Sequence, residues 1–321
     1  MVDAEPLVSV IVPVLNGERH IGACISSILD QSYTNLELVI ANNASTDRTA
    51  EIIASFDDAR IRVLPDITER FDIHSNWTRA VGSARGEFVK IVCHDDLLLP
   101  ECLTIQVGLL RDHPTAALVA GRRKIINDQD KVVIPSRGLG NLLKNENPRV
   151  IAGDLLAREC TRAGTNLLGE PANVLIRTAS LPTPLFDPRW KYGLDIEFYV
   201  RCLTDRDAVV DSHTLCSFRV SPTQMSASLA SDQAKELRLL FEEIERRHPD
   251  VVSHSDVRIG AARARLLSQA RRLVYQQMRL QAYLKKRFGR TECVGARSTA
   301  HDAPEVAPDL IRGAATPNSS E

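Results

Sequence analysis

Nowhere does this sequence hold the roughly 20 consecutive apolar residues that a membrane-spanning helix needs, and residues 1–6 show neither the basic nor the apolar region of a secretory leader. The expectation is a cytoplasmic protein. An excess of either charge is also missing: 40 Lys and Arg stand against 41 Asp and Glu, a formal net charge of -1 at pH 7. No overall field would steer such a chain to nucleic acid, so no nucleic-acid partner is expected and any polyanion must be met locally. Cys24, Cys93, Cys102, Cys160, Cys202, Cys216 and Cys293 are odd in number and scattered, with no CxxC pair. That disfavours a disulfide framework, a zinc knuckle and dithiol redox chemistry, and leaves reduced thiols, several of them core residues. After the first apolar run, Asn16-Gly17-Glu18-Arg19 matches neither GxGxxG nor GxxxxGK[ST], nor a basic glycine-rich phosphate loop. A dinucleotide-dependent oxidoreductase, a P-loop enzyme and a sugar-phosphate nucleotidyltransferase are each disfavoured by that absence.

What is present is an ordinary globular composition, 44% hydrophobic and 25% charged over 321 residues, with β and α patterns in alternation. VSVIVPV at 8–14 is a short β-branched run of the kind buried on both faces of a parallel sheet. Asn16 is placed to cap a helix whose apolar positions Ile21, Cys24, Ile25, Ile28 and Leu29 share a face, and 36–41 reads as the next strand. Helices are predicted over 47–55 and 76–84, strands over 61–64 and 88–92, then a helix opened by Pro100 and running to about 112, and a strand over 116–121. This alternation predicts an α/β fold, a Rossmann-like, mostly parallel mixed sheet with helices on both faces. Residues 126–148 read as a hairpin and an exposed, mobile loop able to close over ligand.

Further on, helices are predicted at 154–161 and 194–203, and strands at 172–176, 208–210 and 215–219. Residues 231–286 follow with helical pattern. The expected organisation is a catalytic domain over 1–225 (a nucleotide-sized half at 1–121, an acceptor half at 122–225), a helical extension at 226–288, and a disordered tail at 289–321. The stretch QARRLVYQQMRLQAYLKKRFGR is basic and amphipathic. It reads either as a peripheral membrane or partner helix, or as a solvated helix packed on its own domain.

Three stretches carry candidate chemistry. Asn42-Asn43-Ala44-Ser45-Thr46-Asp47 opens a helix at the carboxyl edge of the sheet, where ligands of such sheets bind; a plain cap at Ser45 or Thr46 would look the same. His94-Asp95-Asp96 emerges from the strand at 88–92, and two adjacent carboxylates are best reconciled around a divalent cation that also takes phosphate oxygens. Gly193-Leu194-Asp195 starts a helix, and an N-cap aspartate looks the same from sequence.

Taken in order, VSVIVPVLN, NNASTD, AVGSARG leading into FVKIVCHDD, and GLDIEFYVR resemble glycosyltransferase family 2, the inverting enzymes of GT-A fold. The resemblance runs over about 7–226, two-thirds of the chain. It implies a nucleoside-diphosphate sugar held by Pro13, Val14, Asn16, Asn42, Asn43 and Asp47, with Asp95 and above all Asp96 binding Mg2+ or Mn2+ at the diphosphate. It further implies Asp195 as the base that deprotonates the acceptor hydroxyl, Glu170 as an acceptor contact, and Arg219 as positive charge where relatives commonly carry a histidine. The acceptor is expected to be a glycan, a lipid-linked sugar or another hydroxyl, with cell-surface glycan or glycolipid synthesis as the setting. Peripheral attachment at the inner face of the membrane is the accompanying expectation for the basic helix.

The sequence departs from the pattern at four places. Asn42 and Asn43 stand where an aspartate usually meets the base, Cys93 replaces the first acid of the longer metal pattern, Leu194 replaces a glutamate, and Ser221 a histidine. Neither a QxxRW motif nor membrane helices appear, so transfer of one sugar or a few is expected rather than processive synthesis. The alternative from another class is a non-catalytic sugar-nucleotide-binding or assembly protein that keeps the fold.

Overall fold

The computed structural model describes residues 5–140, 142–143, 147–221, 224, 229 and 232–288; the expected tail at 289–321 lies outside the described residues. Ten strands form one sheet in the order β3-β2-β1-β4-β9-β6-β10-β5, with β7 on β6 and β8 on β10. The strands are β1 (Val8–Val14), β2 (Leu36–Asn42), β3 (Ile61–Val63), β4 (Phe88–Ile91), β5 (Leu97–Leu98), β6 (Ala116–Asn127), β7 (Val132–Arg137), β8 (Arg149–Ala152), β9 (Val174–Arg177) and β10 (Asp207–Val220). β3, β2, β1 and β4 are mutually parallel, β9 is antiparallel to both β4 and β6, and β6 and β10 are parallel to each other. The carboxyl ends of β1, β2, β4, β6 and β10 therefore share one edge, and the amino end of β9 meets them there.

The β-branched run of β1 is continuous because both faces are covered, as its alternation shows. Val8, Val10, Val12 and Val14 pack with α1 (Ile21–Leu29) and α4 (Cys102–Asp112), whereas Ile11 faces α3 (Ile73–Val81), α5 (Gly153–Ala163) and α6 (Leu194–Cys202). Each such fully buried aliphatic side chain contributes about 1.5–3 kcal/mol by removal from water. Ser9, on the same face as Ile11, is buried at no net loss of polar contacts: its hydroxyl bonds Glu37 Oε1 and accepts from the Arg85 and Gly86 N–H groups.

Several boundaries differ from those expected. Asn16 is not an N-cap: α1 begins at Ile21, while Asn16 has φ 52° and bonds across to the next loop. α4 begins at Cys102, two residues past Pro100, and Ala172 lies in a 3-10 turn that precedes β9. The strands expected at 208–210 and 215–219 are one strand, β10, whose register slips against β6 between Val210 and Cys216. In the 126–148 segment β7 forms the expected hairpin with β6, but Leu139, Leu142 and Leu143 are buried, in the apolar cluster that also holds Leu156, Leu168 and Phe198; residues 141 and 144–146 lie outside the described set.

The chain divides into a compact unit Met1–Arg279 and a second unit Leu280–Glu321, of which residues 280–288 are described, as helix. α7 (Gln233–Arg247) and the first part of α8 (His254–Phe288) join α5 and α6 in a third apolar cluster, through Leu237, Leu240, Phe241, Ile244, Val257 and Ala264 against Ala157, Ile196 and Val200. The helix that carries Asp195 is thus held from behind by the helices that follow the sheet.

Candidate active site

The site is built on the shared carboxyl edge. The loops after β1 and β2 interlock: Asn16 N–H donates to Ser45 Oγ at 2.9 Å, Gly17 N–H to Thr49 Oγ1 at 2.8 Å, Glu18 N–H to Asp47 Oδ2 at 3.1 Å, and Thr46 N–H back to Asn16 Oδ1 at 2.9 Å. Such cross-bonding holds Asn16 and Ala44, both at φ 52°, in a conformation that costs a side-chain-bearing residue about 1 kcal/mol or more. Of the residues expected around the base, Asn43 has both ends of its amide on the Phe71 backbone, at 2.9 Å each, and so ties the β3–α3 loop to this edge. Asn42 turns its Oδ1 to the Ser45 N–H. Pro13 and Val14 close β1 directly beneath.

Gly17 joins this pair of loops to the acid pair, because a Cβ at Gly17 would come within 2.7 Å of the His94 ring. His94 leads into Asp95 and Asp96. Asp96 is fully buried; its Oδ1 accepts from the Arg219 N–H at 3.0 Å, and its Oδ2 has no hydrogen-bond partner among the described residues. Burial, and next the charge of Asp95, push the Asp96 carboxyl well above the ordinary range. A buried carboxylate oxygen left without a donor costs about 1–3 kcal/mol unless something positive meets it. One ligand atom from each of Cys93, Asp95 and Asp96 lies within 4.8 Å of the others, so the residues present fit a divalent cation. The Cys93 thiol, kept protonated by burial foremost, is the soft member of a set otherwise suited to hard cations.

Arg219, expected to face the diphosphate, is 1% exposed and fully engaged. Its Nε donates to the Asp95 carbonyl at 2.8 Å, Nη1 to the Asn127 carbonyl at 2.8 Å and Nη2 to Asp130 Oδ1 at 2.6 Å. It clamps the acid loop to the β6–β7 turn.

On the other side, Asp195 lies in the first turn of α6. Its Oδ1 accepts from the Ile196 N–H and its Oδ2 from Asn166 Nδ2, both at 2.8 Å. Burial raises its pKa to about 6, with the Glu170 charge adding to the rise and the Asn166 hydrogen bond opposing it. Glu236 of α7 fixes the turn before α6: one carboxylate oxygen accepts from the N–H groups of Lys191, Tyr192 and Gly193 at 2.8, 2.7 and 2.9 Å. The charge of Glu170 raises the pKa of Asp96 as well as that of Asp195, and Glu170 is ion-paired with Arg123 of β6. Asn166, Arg123 and Glu236 carry no sequence signal; each is recognisable only by its partner, 29, 47 and 43 or more positions away.

Comparison with known proteins adds the following. Residues 9–165 match the model of the family described as Glycosyl transferase family 2; the match includes Asp95 and Asp96 and ends before Asp195. The chain is 33% identical over 143 residues to the Escherichia coli UDP-Glc:alpha-D-GlcNAc-diphosphoundecaprenol beta-1,3-glucosyltransferase WfgD, covering 43% of this chain and 56% of that protein. It is 33% identical over 94 residues to the glycosyltransferase GlyG of Streptococcus pneumoniae, covering 29% of this chain and 31% of that one. The chain thus spans about half, or less, of the length of these relatives. Among solved structures, S. aureus TarS 1–349 in complex with UDP-GlcNAc superposes with a TM-score of 0.59 at 23% identity, over 74% of this chain and 66% of that one. That likeness extends to the fold, a GT-A arrangement.

Proposed function

This chain belongs to glycosyl transferase family 2, and from that premise we propose that it is an enzyme moving one sugar from a nucleoside-diphosphate sugar to an acceptor hydroxyl, with inversion. The observation that carries the reading is the presence in one site of Asp96, whose buried Oδ2 has no donor among the described residues, and of Asp195, a buried carboxyl with its pKa raised to about 6, the Glu170 charge acting on both. Mg2+ or Mn2+ held by Asp96 and Asp95 would supply positive charge against the departing nucleoside diphosphate.

The residues of the chain perform the rest. The interlocked loops at 13–19 and 42–47 hold the nucleoside, and Arg219 keeps the acid loop in register with β6 and β10. Asp195 is ionised near neutral pH yet more basic than an ordinary carboxylate, which suits removal of the acceptor proton as that oxygen attacks the anomeric carbon. The bond to the leaving diphosphate breaks in the same displacement, and inversion follows. Asn166 fixes the Asp195 oxygen that its amide meets, leaving the carboxylate poised by Ile196 and Asn166 rather than free to rotate.

The names of the relatives support a UDP-sugar as donor and a glycan or lipid-linked sugar as acceptor. Among the described residues no helix is long and apolar enough to cross a membrane. A peripheral contact at the inner membrane face is proposed for α8, where Leu266 and Leu273 are 66% and 67% exposed beside Arg265 and Arg272. The test is a thermal-shift screen of UDP-, GDP- and dTDP-sugars with Mn2+, followed by transfer assays with the stabilising donor. A donor that stabilises the protein and is turned over, with turnover lost in Asp195→Asn, is the expected result. Donor binding without any transfer or hydrolysis would favour a non-catalytic sugar-nucleotide-binding protein instead.

A further inference from the structure

Beside Glu170, two arginines stand opposite each other on paired strands, and a third, Arg271, is near enough for its charge to act on one of them. Arg123 of β6 and Arg137 of β7 are register partners across the hairpin. Arg123 is 7% exposed and ion-paired with Glu170, yet its Nη1 is buried without a hydrogen-bond partner among the described residues. The two glycines beside it keep it that way: a Cβ at Gly138 or Gly169, at φ 123° and 91°, would come within 2.9 or 2.6 Å of Nη1. Arg137 is exposed and pairs with no carboxylate among the described residues. Although its side chain reaches solvent, partial shielding by the surrounding protein first, and then the positive charges of Arg123 and Arg271, lower its pKa, and Glu170 opposes this.

Arg271 of α8 is the third member. Its Nη1 meets the Tyr192 hydroxyl and donates to Gln233 Oε1 at 3.4 Å, and its Nη2 donates to Thr165 Oγ1 at 3.1 Å, all neutral acceptors. Thr165 precedes Asn166, whose amide holds Asp195. Arg271 is thereby linked to the base through Thr165 and Asn166, and Arg123 through Glu170, whose charge bears on Asp195. Folding alone does not gather like charges around a half-satisfied buried arginine, because each raises the cost of the others. A phosphate ester answers that arrangement, offering several acceptor oxygens to the planar forks of arginine.

We propose that Arg137 and Arg271, backed by Arg123, form an acceptor subsite for a phosphate or diphosphate group carried by the acceptor, which sets the acceptor's hydroxyl at Asp195. The inference rests on the reading of Asp195 as the base. It is distinct from the donor's diphosphate, which belongs with Asp95 and Asp96; Glu170 is the charge that both ends of the site share.

The experiment uses the full chain and two probes. Inorganic diphosphate is titrated calorimetrically in EDTA, so that Asp95 and Asp96 hold no cation, against wild type, Arg137→Gln and Arg137→Lys; UDP-glucose is titrated separately with Mn2+. The expected result is diphosphate binding to wild type that weakens about tenfold in Arg137→Gln and by less in Arg137→Lys, with donor affinity changed by no more than about twofold. Arg137 is exposed, and unchanged melting temperatures would establish that the variants fold. Diphosphate that binds wild type and Arg137→Gln equally, or fails to bind wild type, overturns the subsite. A parallel loss of donor affinity in Arg137→Gln overturns it too, by assigning the arginines to the donor. Failure of the family reading has a different signature: no donor binds wild type, while the diphosphate titration still reads the arginines by themselves.

Discussion

Arg219 and Asp96 are joined through the main chain: the Arg219 N–H donates to Asp96 Oδ1 at 3.0 Å, and the Arg219 side chain reaches on to the Asp95 carbonyl at 2.8 Å. A strand 123 positions downstream thereby sets where the acid pair sits. The guanidinium closes the arrangement onto Asn127 and Asp130, so its removal leaves the half-buried carbonyls of Asp95 and Asn127 without their donor and frees the β6–β7 turn.

Arg219→Met is accordingly expected to lower stability by about 2–5 kcal/mol, because carbonyls lose their donors inside the protein. Urea denaturation reads the shift, and an unchanged midpoint would show that the clamp is dispensable. Arg219→Lys is expected to fare only slightly better, since a single ammonium cannot reach the three acceptors at once.

Asp195→Asn is expected to reduce turnover about 10²–10⁴-fold while leaving donor affinity unchanged. In the wild type kcat/KM is expected to fall on the acid side of about 6, where the carboxylate would take up its own proton. Asn166→Ala moves that limb to higher pH, because the hydrogen bond it removes favours the charged form. A limb that stays in place would mean that another group titrates.

The same carboxyl carries a stability signature. Its folded pKa, about 6, lies above the ordinary 3.8, so the folded state binds the proton more tightly; that advantage is present below the lower value and is lost as pH rises through the upper one. At pH 7 Asp195→Asn should therefore raise the melting temperature, and at pH 4 the difference should shrink. A lower melting temperature at pH 7 would contradict burial as the cause of the shift.

Chelation is expected to weaken donor binding to the wild type and to leave the already weak binding of Asp96→Asn unchanged. Calorimetric titration of UDP-glucose with and without EDTA measures both. Equal donor affinity in the wild type under the two conditions would remove the cation from the reading of Asp96.

Gly17→Ala places a methyl within 2.7 Å of both the His94 ring and a Val14 methyl. It should cost about 1–3 kcal/mol through overpacking. Donor affinity should fall with it, because His94 leads directly into the acid pair; a variant with wild-type stability and affinity would show that His94 swings aside freely.

Strand and helix order was legible wherever burial imposes a periodicity: β1, β2, β4, α5 and α6 stand within a residue or two of the segments expected from apolar spacing. Where that signal is weak the reading failed, as at Asn16, whose capping chemistry is diverted to Thr46, and in β10, which bends through register slips instead of breaking into two strands. The two-residue β5 and the short β8 are held by β10 alone and have no pattern of their own.

The sequence by itself determined the layered α/β architecture and the acid pair Asp95-Asp96, because hydrophobic alternation and adjacent carboxylates at a strand end are local properties of the chain. Only the tertiary structure decided what those acids meet. It enclosed Arg219 as their clamp, set Asn166 on Asp195, and paired Arg123 with Glu170 on one side and with Arg137 across the hairpin on the other. Those relationships join residues far apart in sequence across neighbouring strands and helices, and no local propensity encodes a partner that distant.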